Sequence, residues 1–413
     1  MRLDPNDHAW MRRAETRRVM AALNPAGQDL SRYVGGCVRN AVSGHPVQDV
    51  DIATRLTPDE VMRLSADAGL KPVPTGIEHG TVTVVSGGMP HEVTTLRKDV
   101  ATDGRRAVVA FSQDWAEDAA RRDFRLNAIY ATPEGAVFDP FDGAADARAG
   151  RIVFIGDASA RIAEDYLRIL RFYRFNAWYG AGAPDPEGHR ACVAGRAGLA
   201  SLSAERVWAE LKRLLAAPAP VPALEAMQEG HILDEVLPGA LDFRVLFSII
   251  INDREKVRDA DALLRIVALA GAEGERVSAL SSALKVSRAE RARMIAACRT
   301  PRLVPGRAPD ERARALYKRG GQAVADQLRL AEARGEGEDH ALEAELTEAL
   351  SYERPEFPLT GRDLIAAGFA PGPDLGDRLD AARKAWIDSG FTLGRQTLLD
   401  QVVIKASGGE RDT

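Results

Sequence analysis

Cysteine is scarce in this chain: Cys37, Cys192 and Cys298 are the only three, they lie far apart, and none forms a Cys-x-x-Cys pair. That argues against a disulfide framework and a cysteine-built zinc site, and it suits a reducing compartment. The seven histidines are scattered as well, with no His-Asp cluster of the kind that builds a histidine metal centre. Long apolar runs are missing: nothing approaches the roughly eighteen residues of a membrane-spanning helix. The N-terminal stretch MRLDPNDHAWMRRAETRRVM is too charged for a signal-peptide core, so a cytoplasmic protein without a membrane partner is expected. A strong charge of one sign is absent too. The net charge of −5 gives no general support to a polyanion binder, but RRDFR and EDYLRILRFYRF concentrate arginine in the first half, where one can dock locally. Nothing in the sequence sets an oligomeric state.

What is present divides in two. With 413 residues, 45% of them apolar, two to four structural units are expected. WMRRAETRRVMAALN reads as a helical lead-in, RYVGG as a strand running into glycines, and CVRNAVSG as a short helix closed by Gly44. VQDVDIAT alternates as a strand does, and TPDEVMRLSADAG is a helix with Thr57 and Glu60 at capping-box spacing. GTVTVVSGG and MPHEVTTLR read as two strands joined by a Gly87-Gly88 hairpin, and KDVATDGRRA as a loop. Beyond residue 155 strand patterns nearly vanish, DASARIAEDYLRILRFYRFNAWYG keeps helical spacing, and the remainder is helices separated by short Gly/Pro turns. The expected fold class is α+β: a small N-terminal head with a mixed β-sheet over 1–150, then an all-helical neck (151–220), body (221–300) and tail (301–413).

The chemistry starts at GGCVRNAVSGHPVQDVDIAT. Strand alternation puts Asp49 and Asp51 on one face, about 6.5–7 Å apart along the backbone. Two such carboxylates can converge on a pair of magnesium ions for phosphoryl or nucleotidyl transfer. A lone Asp-x-Asp is more often a solvated strand face. Gly35 and Gly36, placed before a helix, change that weighting, because the backbone can approach a phosphate and the helix points its free N–H groups at it. Arg39, one turn in, can add a charged donor. Glu92 in HEVTTLR is a candidate third carboxylate from the neighbouring strand, with a solvated edge residue as the equal alternative.

The ordered runs GGCVRNAV…QDVDIAT, EVTTLRKDVATDGR, RRDFRLNAIY, DPFDGAADARAG, EDYLRILRFYRF and ERVWAEL resemble the motifs of the tRNA nucleotidyltransferase/poly(A) polymerase family, in its bacterial, CCA-adding branch. The resemblance is dense over residues 32–215. It implies a nucleotidyltransferase head, two Mg²⁺ ions, CTP and ATP as substrates, and the tRNA 3′ end and acceptor arm as partner, held by the helical body and tail. It implies metal ligation by Asp49 and Asp51, and a triphosphate seat at Gly35, Gly36 and Arg39. In RRDFRLNAIY, Arg122 can neutralise the triphosphate, while Asp123 or Asn127 can hydrogen-bond a ribose hydroxyl. Asp165, Arg168 and Arg171, spaced by three, are expected along one helical face. There the resemblance makes Asp165 and Arg168 the reader of the incoming base's pairing edge, oriented by Glu164, with Arg174 one turn beyond Arg171 as a further nucleotide contact. Arg206 and Glu210 of ERVWAEL are expected to support that helix.

Two positions depart from the family pattern. Asn40 stands where an aspartate usually follows the arginine, and Arg125 stands where a threonine is usual. No His-Asp dyad of a metal phosphohydrolase is appended. A poly(A) polymerase has the same chemistry but would be expected to carry a strongly basic tail, and this tail is acidic. A catalytically silent RNA-binding relative would be expected to have lost a metal carboxylate.

Overall fold

The computed structural model describes residues 1–103, 106–237, 239 and 241–408. The chain divides into two compact units, Met1–Pro238 and Gly239–Thr413.

The first unit opens with α1 (Ala9–Arg12) and α2 (Ala14–Leu23), followed by β1 (Ser31–Val34), α3 (Gly36–Ser43) and β2 (Asp51–Thr54). Helix α4 (Pro58–Asp67) begins at the expected reciprocal capping box between Thr57 and Glu60. Strands β3 (Lys71–Gly76), β4 (Thr81–Ser86) and β5 (Met89–Thr95) follow. Gly87 and Gly88 both sit at positive φ, 57° and 83°, which lets β4 and β5 pair through a two-residue turn. With β8 (Tyr130–Ala131) and β9 (Val137–Phe138) these strands form one seven-stranded sheet, ordered β3-β4-β5-β2-β1-β8-β9. The β2–β5 pair is parallel and the other pairs are antiparallel, so the sheet is mixed as the alternation implied. One face packs Met20, Leu23, Tyr33, Val38, Ile52, Val82, Val84, Val93 and Ile129 into the core of the head.

The expected loop at 98–107 is a two-stranded ribbon instead, β6 (Arg97–Asp103) with β7 (Arg106–Phe111), while 104 and 105 lie outside the described residues. Its strands pair with each other and not with the main sheet, so a core-facing apolar alternation is not required of them.

Helices α5 (Trp115–Ala120), α6 (Gly143–Ala149), α7 (Ala158–Glu164), α8 (Leu167–Tyr179), α9 (Pro186–Gly195), α10 (Ala204–Leu215) and α11 (Val221–Glu229) complete the unit. Asp139 accepts from the backbone N–H groups of Gly143 and Ala144, both at 2.8 Å, and so anchors the start of α6. Both α10 and α11 pack on α8, which runs through the middle of this helical part. Its buried side includes Ile169, Leu170, Phe172, Tyr173 and Phe175.

Among the described residues the second unit is helical throughout, from Phe243–Glu255 to Arg395–Gly408. The Pro/Gly-rich stretch 355–379 holds a short helix, Gly361–Ala366, and the start of the helix Pro373–Asp388. Two apolar clusters organise the later helices: one around Leu316, Val324, Leu328 and Leu342, and one around Leu364, Trp386 and Leu398. Among the described residues no helix is long and apolar enough to cross a membrane.

Candidate active site

The glycine turn forms where β1 leaves the sheet. Gly35 takes φ 65° and ψ −118°, a conformation essentially open only to glycine, and caps the N-terminus of α3. Its own N–H is held by the Ile129 carbonyl at 3.1 Å, so the turn is tied to the strand beside it. A side chain on Gly35 would lie 3.6 Å from Arg122 Nη1, which places that guanidinium against the turn.

The strand bearing the carboxylates is shorter than its alternation suggests. It begins at Asp51, and Asp49 lies just before it. On one side β1 pairs Tyr33 with Ile52 and Ser31 with Thr54, then turns away at Gly35 and leaves Asp49 without a partner there; on the other side β5 runs back to Met89, but its pairing with β2 starts only at Asp51 and Glu92. Facing is kept all the same, because Val50 and Ile52 are buried while Asp49 is exposed and Asp51 partly so.

On the parallel neighbour, Glu92 is registered directly opposite Asp51, at the usual strand spacing of about 4.8 Å. The flanking His91 and Val93 point into the core, so Glu92 shares the outer face with Asp51. Burial, with the Glu92 charge next and Asp49 after it, pushes the Asp51 carboxyl up to about 6, against the pull of Arg122 and Arg39. Three hard oxygen donors crowded on one face, one of them resisting ionisation, fit a divalent cation such as Mg²⁺. Among the described residues no three such side chains close into a metal cage by themselves. Mg²⁺ characteristically takes one or two carboxylates and completes its shell with water and substrate phosphates.

Arg122 is fixed from behind. Its Nη2 donates to Asp118 Oδ2 at 3.1 Å and its Nε to the Tyr130 hydroxyl at 3.1 Å. Asp118, 2% exposed, also takes Arg121 at 2.8 Å. Burial works against its ionisation, but the Arg122 and Arg121 guanidiniums and the Tyr130 hydroxyl hold the Asp118 carboxyl down to about 2. Asp118 is absent from the residues picked out by sequence, although its i, i+3 and i+4 spacing to Arg121 and Arg122 was a usable signal.

Arg39 lies behind the glycine pair, 7% exposed. Its Nη1 donates to Asn127 Oδ1 at 2.6 Å, its Nη2 to the Tyr179 hydroxyl at 2.8 Å, and its Nε and Nη2 to Asn40 Oδ1 at 3.1 and 2.9 Å. Asn40 thus keeps the acceptor an aspartate would supply, and its Nδ2 donates to the Pro46 carbonyl at 2.8 Å, which a carboxylate could not do. Asn127 Nδ2 donates to Asp123 Oδ1 at 3.0 Å, and Asp123 Oδ2 takes Arg171 Nε at 2.8 Å and Nη2 at 2.5 Å. Asp123 and Asn127 are both buried and bonded inward.

The helix expected to carry Asp165, Arg168 and Arg171 on one face is broken at Asp165. That residue is extended, at φ −156° and ψ 106°, and α8 begins at Leu167. Its Oδ1 accepts from the Leu167 N–H at 3.1 Å, a local side-chain bond that competes with helix continuation. Its Oδ2 takes Arg206 at 2.7 Å. Arg168 pairs with Glu164 and donates to the Arg161 carbonyl at 2.8 Å. Arg174 pairs with Glu210 at 2.6 Å. Arg206 and Glu210, one turn apart on α10, therefore contact Asp165 and, on α8, Arg174. Glu164 holds Arg168 as the sequence suggested.

Comparison with known proteins agrees with this geometry. The Poly A polymerase head domain model matches residues 31–153, and the tRNA nucleotidyltransferase domain 2 model matches 256–402. CCA tRNA nucleotidyltransferase 1, mitochondrial, of Danio rerio is 33% identical over 378 residues, covering 89% of this chain and 86% of the relative. The CCA-adding enzyme of Limosilactobacillus fermentum is 32% identical over 393 residues, covering 93% and 94%. The crystal structure of the Bacillus stearothermophilus CCA-adding enzyme in complex with CTP superposes with a TM-score of 0.78 at 25% identity, over 97% of this chain and 98% of that one. The glycine turn, the carboxylate face, the arginines behind it and this likeness along nearly the whole chain lead to one conclusion: the chain belongs to the tRNA nucleotidyltransferase/poly(A) polymerase family, among its CCA-adding enzymes.

Proposed function

We propose that this protein adds CMP and AMP from CTP and ATP to the 3′ end of tRNA, building or repairing a CCA end without a nucleic-acid template and releasing pyrophosphate. The observation that carries this reading is Asp51, partly buried on the outer sheet face with Glu92 in register opposite it and Gly35 and Arg122 close by. Asp49 and Asp51 are the proposed ligands of two Mg²⁺ ions, and Glu92 adds negative charge to the same face. When bound, the ions would supply Lewis-acid activation of the primer 3′-hydroxyl and neutralise charge on the triphosphate.

The chain's own residues supply the rest. The α3 N-terminus behind Gly35 and Gly36 offers backbone N–H groups to the triphosphate, and Arg122 offers charge beside them. Arg39 acts through Asn127 and the turn, since four of its five N–H donors are engaged by Asn127, Asn40 and Tyr179. Asp165 and Arg168 read the base by exchanging Arg206 and Glu164 for its pairing edge, an aspartate accepting from the exocyclic amine and an arginine donating to a ring acceptor. Arg171 and Arg174 hold the reading helix in place through Asp123 and Glu210. The helical body and tail, 221–413, are the proposed holder of the tRNA acceptor arm, by backbone and shape contacts. Relatives named as CCA-adding enzymes favour this over poly(A) synthesis.

Arg168→Ala tests the assignment. The variant is expected to narrow the preference between CTP and ATP by about 10- to 100-fold, the 1–3 kcal/mol of one good bidentate contact, while triphosphate binding changes little. The assay measures incorporation of labelled CTP or ATP, each alone, on tRNA lacking CCA, CA or A. Unchanged selectivity in the variant removes Arg168 from the role of base reader.

A further inference from the structure

The side chains behind the site form a closed circuit that joins the triphosphate turn to the base-reading helix. Arg39 on α3 donates to Asn127 at 2.6 Å, Asn127 donates to Asp123 at 3.0 Å, and Asp123 accepts from Arg171 on α8. Two turns further along the same face of α8, the Tyr179 hydroxyl accepts from Arg39 at 2.8 Å and closes the loop. Between them, Phe175 forms an aromatic floor, its ring centroid 5.3 Å from the Arg39 guanidinium and 5.5 Å from that of Arg171. The Tyr179 ring lies under the Arg39 guanidinium at 4.1 Å, so it grips this group through its face as well as its hydroxyl.

Among the described residues Arg39 has no carboxylate as a hydrogen-bond partner: Asn40, Asn127 and Tyr179 are all neutral. Its alignment therefore depends on directional bonds to Asn40, Asn127 and Tyr179 more than on a salt bridge. The consequence is mechanical. Arg168 stands one turn from Arg171 on α8, and Gly35–Gly36 stand one turn from Arg39 on α3. A base edge and a triphosphate bound to one nucleotide must meet both ends at a fixed separation, and CTP and ATP differ in how far the base reaches.

We propose that Tyr179 is a positioning residue for nucleotide selection, setting the register of α8 against the triphosphate turn through Arg39. This rests on the nucleotidyltransferase reading above. The polar partner of the Tyr179 hydroxyl is Arg39, so its effect on the nucleotide is indirect. It acts by keeping Arg168 at the distance from the turn that the correct nucleotide spans.

Tyr179→Phe in the full-length protein is the direct test, since it removes the hydroxyl and keeps the ring. On tRNA lacking only the terminal A, the ratio of kcat/KM for ATP to that for CTP is expected to fall about tenfold, the scale of one hydrogen bond to a charged group. KM for ATP should stay within about twofold of wild type, and Tm within about 2 °C. Asn127→Ala opens the same circuit at another link, so it should narrow the ratio similarly, and the double variant should add little to either. A purely structural tyrosine would lower Tm and slow both nucleotides together with the ratio intact, which would overturn the proposal. A fully additive double variant would overturn the circuit as a unit. A wild-type protein that extends no tRNA end overturns the enzymatic reading itself, whereas an active wild type with an unchanged Tyr179→Phe ratio overturns the positioning role alone.

Discussion

Replacing Asp51 by Asn is expected to reduce nucleotide incorporation by at least about 10³-fold, some 4 kcal/mol of lost transition-state stabilisation, while tRNA binding is kept. The amide has the shape of the carboxylate but not its charge, so ligation of the cation fails and the fold does not. Stability should move the other way. Asp51 is partly buried, and that burial, together with the Glu92 and Asp49 charges, disfavours its charged form in the folded chain. Removing the charge relieves the crowding, so Tm should hold or rise by a few degrees, the usual sign of a group kept for activity at the expense of stability. Incorporation and melting measured on the same preparation check both halves. Retained incorporation would remove Asp51 from the metal site, and a large fall in Tm would make the loss of activity a folding effect.

The second large effect is on stability. Asp118→Ala leaves Arg121 and Arg122 without their carboxylate in a site where Asp118 is 2% exposed. Breaking a buried pair by removing one partner costs about 3–5 kcal/mol, which for a unit of this size is a fall in Tm on the order of 10 °C. The Tyr130 hydroxyl loses its acceptor as well, at 2.7 Å in the intact protein. Arg122 would then swing away from the Gly35 turn, so KM for both nucleotides should rise together. The same group gives a pH signature. Its carboxyl is held at about 2 in the folded chain, below the ordinary aspartate value near 3.9. Its stabilisation is therefore complete above about pH 4 and is lost as pH falls toward 2, on the order of 2 kcal/mol. Thermal melts from pH 6 to pH 2.5 should show wild type converging on Asp118→Ala at the acid end. Parallel curves would mean that Asp118 is not the titrating group.

How much of this could be read from sequence followed the range of the interaction involved. The capping box at Thr57 and Glu60, the Gly87–Gly88 hairpin and the turn at Gly35 are local, and each took the expected form. Alternation places Asp49 on a strand because the pattern continues past the point where β1 turns away and where the pairing with β5 begins, and a ladder ends with its pairing rather than with its pattern. The break at Asp165 lay hidden in an unbroken helical pattern with no Gly or Pro. Its cause is one aspartate bonding the N–H two residues on. The ribbon over 97–111 has a hairpin dipeptide at Asp103-Gly104, but because its strands pair with each other and not with the main sheet no core-facing alternation runs through it. Tyr179 was invisible for another reason: it meets Arg39 across 140 positions of sequence, and only the packed α8 brings them together. In hindsight the spacing of Arg171, Phe175 and Tyr179 on one helical face was legible, but nothing local named its partner.

The central claim is that this chain builds a defined CCA end, and product length tests it most directly. Full-length protein is incubated with Mg²⁺, CTP and ATP and a tRNA lacking CCA, with an unrelated RNA in parallel. The account predicts growth of the tRNA by C, C and A followed by a stop, with the unrelated RNA unextended. A lengthening tract of A on either RNA, or no extension of the tRNA, would contradict it.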